Sequence, residues 1–158
     1  MEYAIVDIET TGGAAKQGGI TEVAVLIHDG ESIIKEYQTL INPEQAIPTY
    51  ITGLTGIDNF MVRDKPTFEA FLREGRELKS PKLCTVKLSR KVYPGLGSYS
   101  LGRLCESQKI QIEARHRAMG DAKATAILFD RMIKSDYQII NQSLKKNTGE
   151  SFLPPNFP

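Results

Sequence analysis

Val6-Asp7-Ile8-Glu9-Thr10-Thr11-Gly12 is the stretch on which the reading of this chain turns. It closes a run from Tyr3 to Thr10 that is rich in branched apolar residues and ends at glycines, the pattern of a β-strand. In a strand, residues two apart point to the same face, about 7 Å from each other. Asp7 and Glu9 therefore stand side by side near the strand's end. The strand is otherwise apolar and reads as central. Carboxylates buried there are costly unless paired or bound to a metal. The nearest base in sequence, Lys16, lies across a loop that holds four glycines between residues 12 and 19. Oxygen-rich sites of this kind suit Mg2+ or Mn2+. Asp-x-Glu by itself also describes a strand whose polar end reaches solvent.

After the glycine loop, residues 21–28 read as a second, mostly buried strand. Asp29-Gly30 is a two-residue hairpin signal. It predicts a third strand over 32–41, antiparallel to the second and ended by Pro43. Turn residues punctuate 47–60, with a brief helix over 48–52. Pro66 predicts the first residue of another helix, with Phe68, Phe71 and Leu72 on its apolar side. Residues 83–92 read as helical and stop at Pro94-Gly95. Ser98 predicts the cap of a short helix through Cys105. From about Asp121, residues Ala122, Ala126, Phe129 and Ile133 recur at helical spacing. The domain is expected over 1–140, and the polar stretch 141–158 reads as a linker-like tail. Strands first and helices after predict an α/β domain with a mixed sheet.

The 158 residues suit one domain. A hydrophobic share of 41% and a charged share of 25% are ordinary for a soluble globular chain. No apolar run reaches the length of about 18 residues that a membrane span needs. Met1-Glu2-Tyr3-Ala4-Ile5 lacks the basic start of a signal peptide. Two cysteines, Cys84 and Cys105, are too few for a disulfide framework, so a cytoplasmic protein is expected. A net charge of +1 does not announce a nucleic-acid binder. Between Arg73 and Lys91, however, seven basic residues stand against Glu74 and Glu77. That stretch suits either a phosphate backbone or a solvated helix face.

His116 and Asp121 form the second informative pair, in Arg115-His116-Arg117-Ala118-Met119-Gly120-Asp121. Asp121 opens a helix, where an acidic residue also favours the positive helix end. His116 precedes it in a basic turn. A histidine titrates near neutral pH and can take a proton from water there, though a surface histidine is the blander reading. Three carboxylates, Asp7, Glu9 and Asp121, suit two metal ions about 3.5–4 Å apart. Such ions would activate water and stabilise a leaving 3′ oxygen, with His116 as the general base. The reaction expected is in-line hydrolysis of a phosphodiester.

Two motifs in this order resemble those of the DEDDh exonucleases, in particular the proofreading (epsilon) type of subunit of bacterial DNA polymerase III. They are Val6-Asp7-Ile8-Glu9-Thr10-Thr11-Gly12 and His116-Arg-Ala-Met-Gly-Asp121-Ala-Lys-Ala-Thr125. Ile47 to Ile57 is similar to the family segment that lies under the 3′-terminal nucleotide. The resemblance spans about residues 3–136. It implies a ribonuclease H-like fold, 3′→5′ hydrolysis of DNA ends or of RNA ends, and two divalent ions, Mg2+ or Mn2+. It implies metal binding by Asp7, Glu9 and Asp121, and a general base at His116. Contacts to the terminal nucleotide would come from Thr10, Thr11, Leu54 and Thr55. A DNA polymerase is the implied partner. Ser151 to Pro158 resembles the linker of exonucleases fused to a further nuclease domain.

The family's second motif, an apolar strand that supplies a fourth carboxylate, is absent. The sequence that resembles the helix before it runs directly into sequence that resembles the stretch after it near residues 71–74, and no aspartate occurs between Asp64 and Asp121. A strand and much of a helix, roughly 20–30 residues, are missing. Three explanations are open: the sequence skips an existing segment, with a break expected between about Phe68 and Arg76; the segment is deleted, which would expose an edge of the first strand; or the fold is rebuilt and inactive. The alternative to an active exonuclease is a catalytically impaired nucleic-acid-binding or polymerase-docking module of the same fold.

Overall fold

The computed structural model describes residues 2–12, 18–73, 76–79, 83–146 and 150–153, with backbone alone for 76–79, 145–146 and 150–153. Lys16, Lys82 and the end of the tail, 154–158, lie outside the described residues.

Three antiparallel strands form the main sheet in the order β1-β2-β3: β1 (Tyr3–Thr10), β2 (Ile20–His28) and β3 (Ile33–Leu40). Both faces of β2 are covered, so almost every residue from Thr21 to His28 is buried. On one face lies α6 (Ala118–Ser135). Its sheet-facing side carries Ala118, Ala122, Ala126 and Phe129, and the small residues let the helix sit low over Ile5, Ala24 and Leu26. Phe129 meets Tyr3 edge-on, with ring centroids 4.9 Å apart. Around α6 pack α4 (Thr85–Val92), α5 (Leu101–Ser107) and α7 (Tyr137–Lys146). On the other face α3 (Phe68–Arg73) places Phe71 against Val23, Val25 and Tyr37. Two short helices, α1 (Thr49–Thr55) and α2 (Asn59–Val62), complete a small cluster around Ile51 and Ile57.

Several sequence expectations shift. Asp29-Gly30 is not a two-residue hairpin turn. Four residues connect β2 to β3, because the Asp29 carboxylate accepts from both Glu31 N and Ser32 N at 2.8 Å and widens the turn into an Asx type. Ser100, rather than Ser98, occupies the cap position of α5. Helix α6 begins at Ala118, three residues before Asp121. Residue 140 falls inside α7, where Ile140 is fully buried and Leu144 packs on the same core.

The α/β class holds, but the mixed sheet is met only in its antiparallel half. Among the described residues no strand flanks the outer side of β1. Between α3 and α4 the described backbone makes β4 (Arg76–Lys79), which pairs with β5 (Glu150–Leu153) in a separate two-stranded sheet. β1 is thus an edge strand, not a central one. On the side away from α6 it leaves Val6 48% and Ile8 45% exposed.

Candidate active site

β1 delivers Asp7 and Glu9 onto the α6 side of the sheet, and the first turn of α6 brings Asp121 over them. One carboxylate oxygen from each of the three lies within 4.8 Å of the others. Like charges this close resist ionisation. Burial, then Asp121, Glu9 and Glu22, push Asp7 up to about 7. Burial, then Asp121 and Glu22, push Glu9 up to about 7, partly offset by Arg117. Asp121 Oδ1 is buried without a hydrogen-bond partner. An oxygen-only donor set with one orphaned buried oxygen fits a hard divalent cation. Asp64 does not join the cluster: it lies exposed in a surface pair with Arg63.

His116 sits half-buried in the turn that leads into α6, with a left-handed backbone at φ 62°. It stands two residues before the first helical residue of α6, the helix whose first turn carries Asp121.

The four residues expected at the nucleotide divide. Leu54 is half exposed on α1. Thr10 lies at a bulge in β1, its hydroxyl accepting from Gly12 N at 3.3 Å. Thr11 is buried, and its hydroxyl accepts from Gly19 N and Gln45 Nε2 at 3.0 and 2.9 Å. Thr55 is buried too, donating to Ile51 O at 2.9 Å and accepting from Ile57 N at 3.1 Å. The two buried threonines act as braces that hold the loop and helix in place. Gly12 explains why α1 stands so near β1. It has φ 81°, and a Cβ there would meet the Tyr50 hydroxyl at 2.7 Å and Ile51 at 2.9 Å. Tyr50 itself is 67% exposed beside this turn. Of the basic stretch, Arg73 pairs with Glu69, Arg90 lies over the Tyr99 ring and Lys91 donates to Ser143.

Sequence reasoning missed Glu22 and Arg117. Glu22 is fully buried on β2 and is bridged by Arg117 at 2.6 Å. A signal existed: a lone charge inside an apolar buried strand requires a partner.

The exonuclease family profile (RNase_T) matches residues 4–80 and 71–129, two pieces that overlap at 71–80. DNA polymerase III subunit epsilon of Aquifex aeolicus is 30% identical over 162 aligned positions, covering 84% of this chain and 80% of that protein. Since 84% of 158 residues is about 133, about 29 of those 162 positions are residues of the Aquifex subunit with no counterpart here. The 3′–5′ exonuclease DinG of Bacillus subtilis is 30% identical, over 92% of this chain but only 19% of its own length. Among solved structures, Exonuclease X in complex with 5′ overhanging duplex DNA superposes with a TM-score of 0.76 at 27% identity, covering 90% of this chain and 97% of that one. The nuclease domain of 3′hExo, a DEDDh family member bound to rAMP, shares the fold with a TM-score of 0.73 at 16% identity, covering 84% and 92%. No helix among the described residues is long and apolar enough to cross a membrane. The chain belongs to the exonuclease family, as a 3′→5′ exonuclease domain of the DEDDh kind on a ribonuclease H-like fold.

Proposed function

We propose that this chain removes nucleotides from single-stranded 3′ ends of DNA, with Asp7, Glu9 and Asp121 holding divalent ions, Mg2+ or Mn2+. The observation that carries the reading is the meeting of three carboxylates within 4.8 Å around a partnerless Asp121 oxygen. Bound ions supply Lewis-acid activation of water and stabilisation of the leaving oxygen. His116 takes the proton from the attacking water. Leu54, exposed on the helix beside the Thr10–Gly12 turn, offers an apolar surface to the terminal nucleotide, with Thr10 at its rim. The preference for DNA, and a polymerase as partner, rest on the relatives: a polymerase III subunit and an exonuclease seen with duplex DNA. A fused nuclease domain is a further candidate partner, and the placement is cytoplasmic.

A second reading has its own support. Among the described residues, the open edge of β1 and a cluster of three rather than four carboxylates favour an impaired module that binds nucleic acid or docks on a polymerase. Release of nucleotides from labelled single-stranded DNA and RNA, with and without Mg2+ or Mn2+, separates the two. Metal-dependent release that Asp7→Ala abolishes supports the exonuclease. Release unaltered in Asp7→Ala removes the proposed site. No release, with retained DNA binding, favours the impaired module.

A further inference from the structure

Glu22 is wholly buried, yet the chemistry above makes no use of its charge. Its two oxygens receive four donors. Arg117 gives Nε to Oε2 at 3.1 Å and a second guanidinium nitrogen to Oε1 at 2.6 Å. Ala118 N reaches Oε2 at 2.8 Å, and Gln38 Nε2 reaches Oε1 at 2.7 Å. A forked guanidinium bond adds direction as well as energy. Arg117 and Ala118 are the two residues that follow His116. The register of the sheet sets Glu22 opposite Glu9. One carboxylate therefore ties the turn that carries His116 to the rung of the sheet that carries Glu9.

The turn needs such a tie. His116 and Ala114 both hold left-handed φ angles, 62° and 49°, which non-glycine residues adopt at a cost and keep only when their surroundings enforce them. Gly120 allows the turn to fold back on α6, since a Cβ there would run into the carbonyl oxygens of Glu113 and Ala114. Helix α6 has no side-chain cap from its own Arg117. The first helical N–H, that of Ala118, is satisfied by Glu22 from across the sheet, and a negative charge at a helix N-terminus is favourable.

We propose that Glu22 is a positioning residue for this site: through Arg117 and Ala118 it fixes where the His116 turn stands relative to the Asp7–Glu9–Asp121 cluster, without touching substrate or metal. The inference rests on the metal-site reading under the proposed function. Its test uses the full chain with Mn2+ alone as the probe. Bound Mn2+ broadens nearby proton resonances steeply with proximity. The chain has two histidines, so His116→Gln assigns the imidazole signals by subtraction. In the unaltered chain Mn2+ broadens the His116 signal more than that of His28. Glu22→Gln and Arg117→Lys lower the thermal melt, as breaking a buried ion pair must, but stay folded at about 25 °C, keep Mn2+ affinity within a few-fold of the parent's and reduce the His116 broadening several-fold. Their effects do not add in the double variant, as for residues acting through one contact. Where DNA is hydrolysed, kcat falls by about 10- to 100-fold with KM unchanged. Unchanged broadening in a folded Glu22→Gln or Arg117→Lys variant overturns the proposal. Failure of the unaltered chain to bind Mn2+ overturns the metal-site reading instead, and this inference with it.

Discussion

Glu9 and Glu22 stand directly opposite each other on the β1–β2 ladder, and only Glu22 has a cationic partner bonded to it. Like charges facing across strands are destabilising, and the pair divides the burden unevenly. Burial pushes Glu22 up, but the bonds from Arg117, Ala118 and Gln38 outweigh it and hold the group below the ordinary glutamate value. Glu9 and Asp7, lacking such bonds, are raised to about 7.

The stability of the metal-free chain follows from that division. A carboxylate whose folded pKa is raised contributes stability below its unfolded pKa and loses it as pH rises through the folded value. Asp7 and Glu9 shift from 3.8 and 4.5 to about 7. In chelator, the melting temperature should therefore fall from about pH 5 to about pH 8, at about 2–4 °C per kcal/mol for a domain of this size. Glu22 has the opposite sign: its contribution is present above 4.5 and lost as pH falls, so it does not oppose the trend in this window. Calorimetric melts across the range check this, and a flat profile would show that the two carboxylates are not coupled as the geometry requires.

Divalent cations should reverse the penalty. At pH 8, Mn2+ at about 100 times its Kd should stabilise the fold by about 2.7 kcal/mol. Asp121→Asn removes one charge from the cluster, and its amide can donate to the neighbouring carboxylates. In chelator at pH 8 this variant should melt higher than the parent and should gain little from Mn2+. A parent-like gain in Asp121→Asn would mean that the ion binds elsewhere.

How much of this was legible depended on how local the signal was. Asp7 and Glu9 could be read because a strand's period of two places them together without any knowledge of the rest. Asp121 and His116 could be read because they flank one helix start. The Glu22–Arg117 bond joins residues far apart in sequence, so it emerges only when α6 lies across β2. Thr11 and Thr55 illustrate the same limit from the other side. The sequence expects them at the terminal nucleotide, but their burial depends on Gly19, Gln45 and Ile57 closing over them. The helical continuation past residue 140 was missed because α7 is mostly polar and is held by a few contacts, Ile140 and Leu144 among them.

Leu54 and Thr55, adjacent on α1, should give opposite readouts. Leu54 is half exposed, so Leu54→Ala should leave the melting temperature within experimental scatter and raise KM for single-stranded DNA. Thr55 is buried and uses its hydroxyl both as donor and acceptor. Thr55→Ala should cost about 1–3 kcal/mol of stability. Comparing urea midpoints with KM for the two variants checks both. A destabilised Leu54→Ala with unchanged KM would assign Leu54 to packing rather than to substrate.

The open edge of β1 should govern solution behaviour. An edge strand with unpaired backbone groups and apolar side chains invites pairing with another chain. Val6 and Ile8 supply those side chains on the face that α6 does not cover. The chain should associate as its concentration rises. Val6→Lys should suppress this, since a charge on an edge strand blocks pairing. As a surface substitution, it should change stability by no more than about 0.5 kcal/mol. Light scattering across a dilution series reads the association, and urea melts read the stability. If Val6→Lys lowers stability without reducing scattering, Val6 is packed rather than open and β1 is not the sticky edge. If both hold as expected, restoring a second-motif strand and helix of roughly 20–30 residues near residues 71–74 should suppress association in the same way. It would also raise metal-dependent hydrolysis, since the restored strand would cover β1 and return a fourth carboxylate to the cluster.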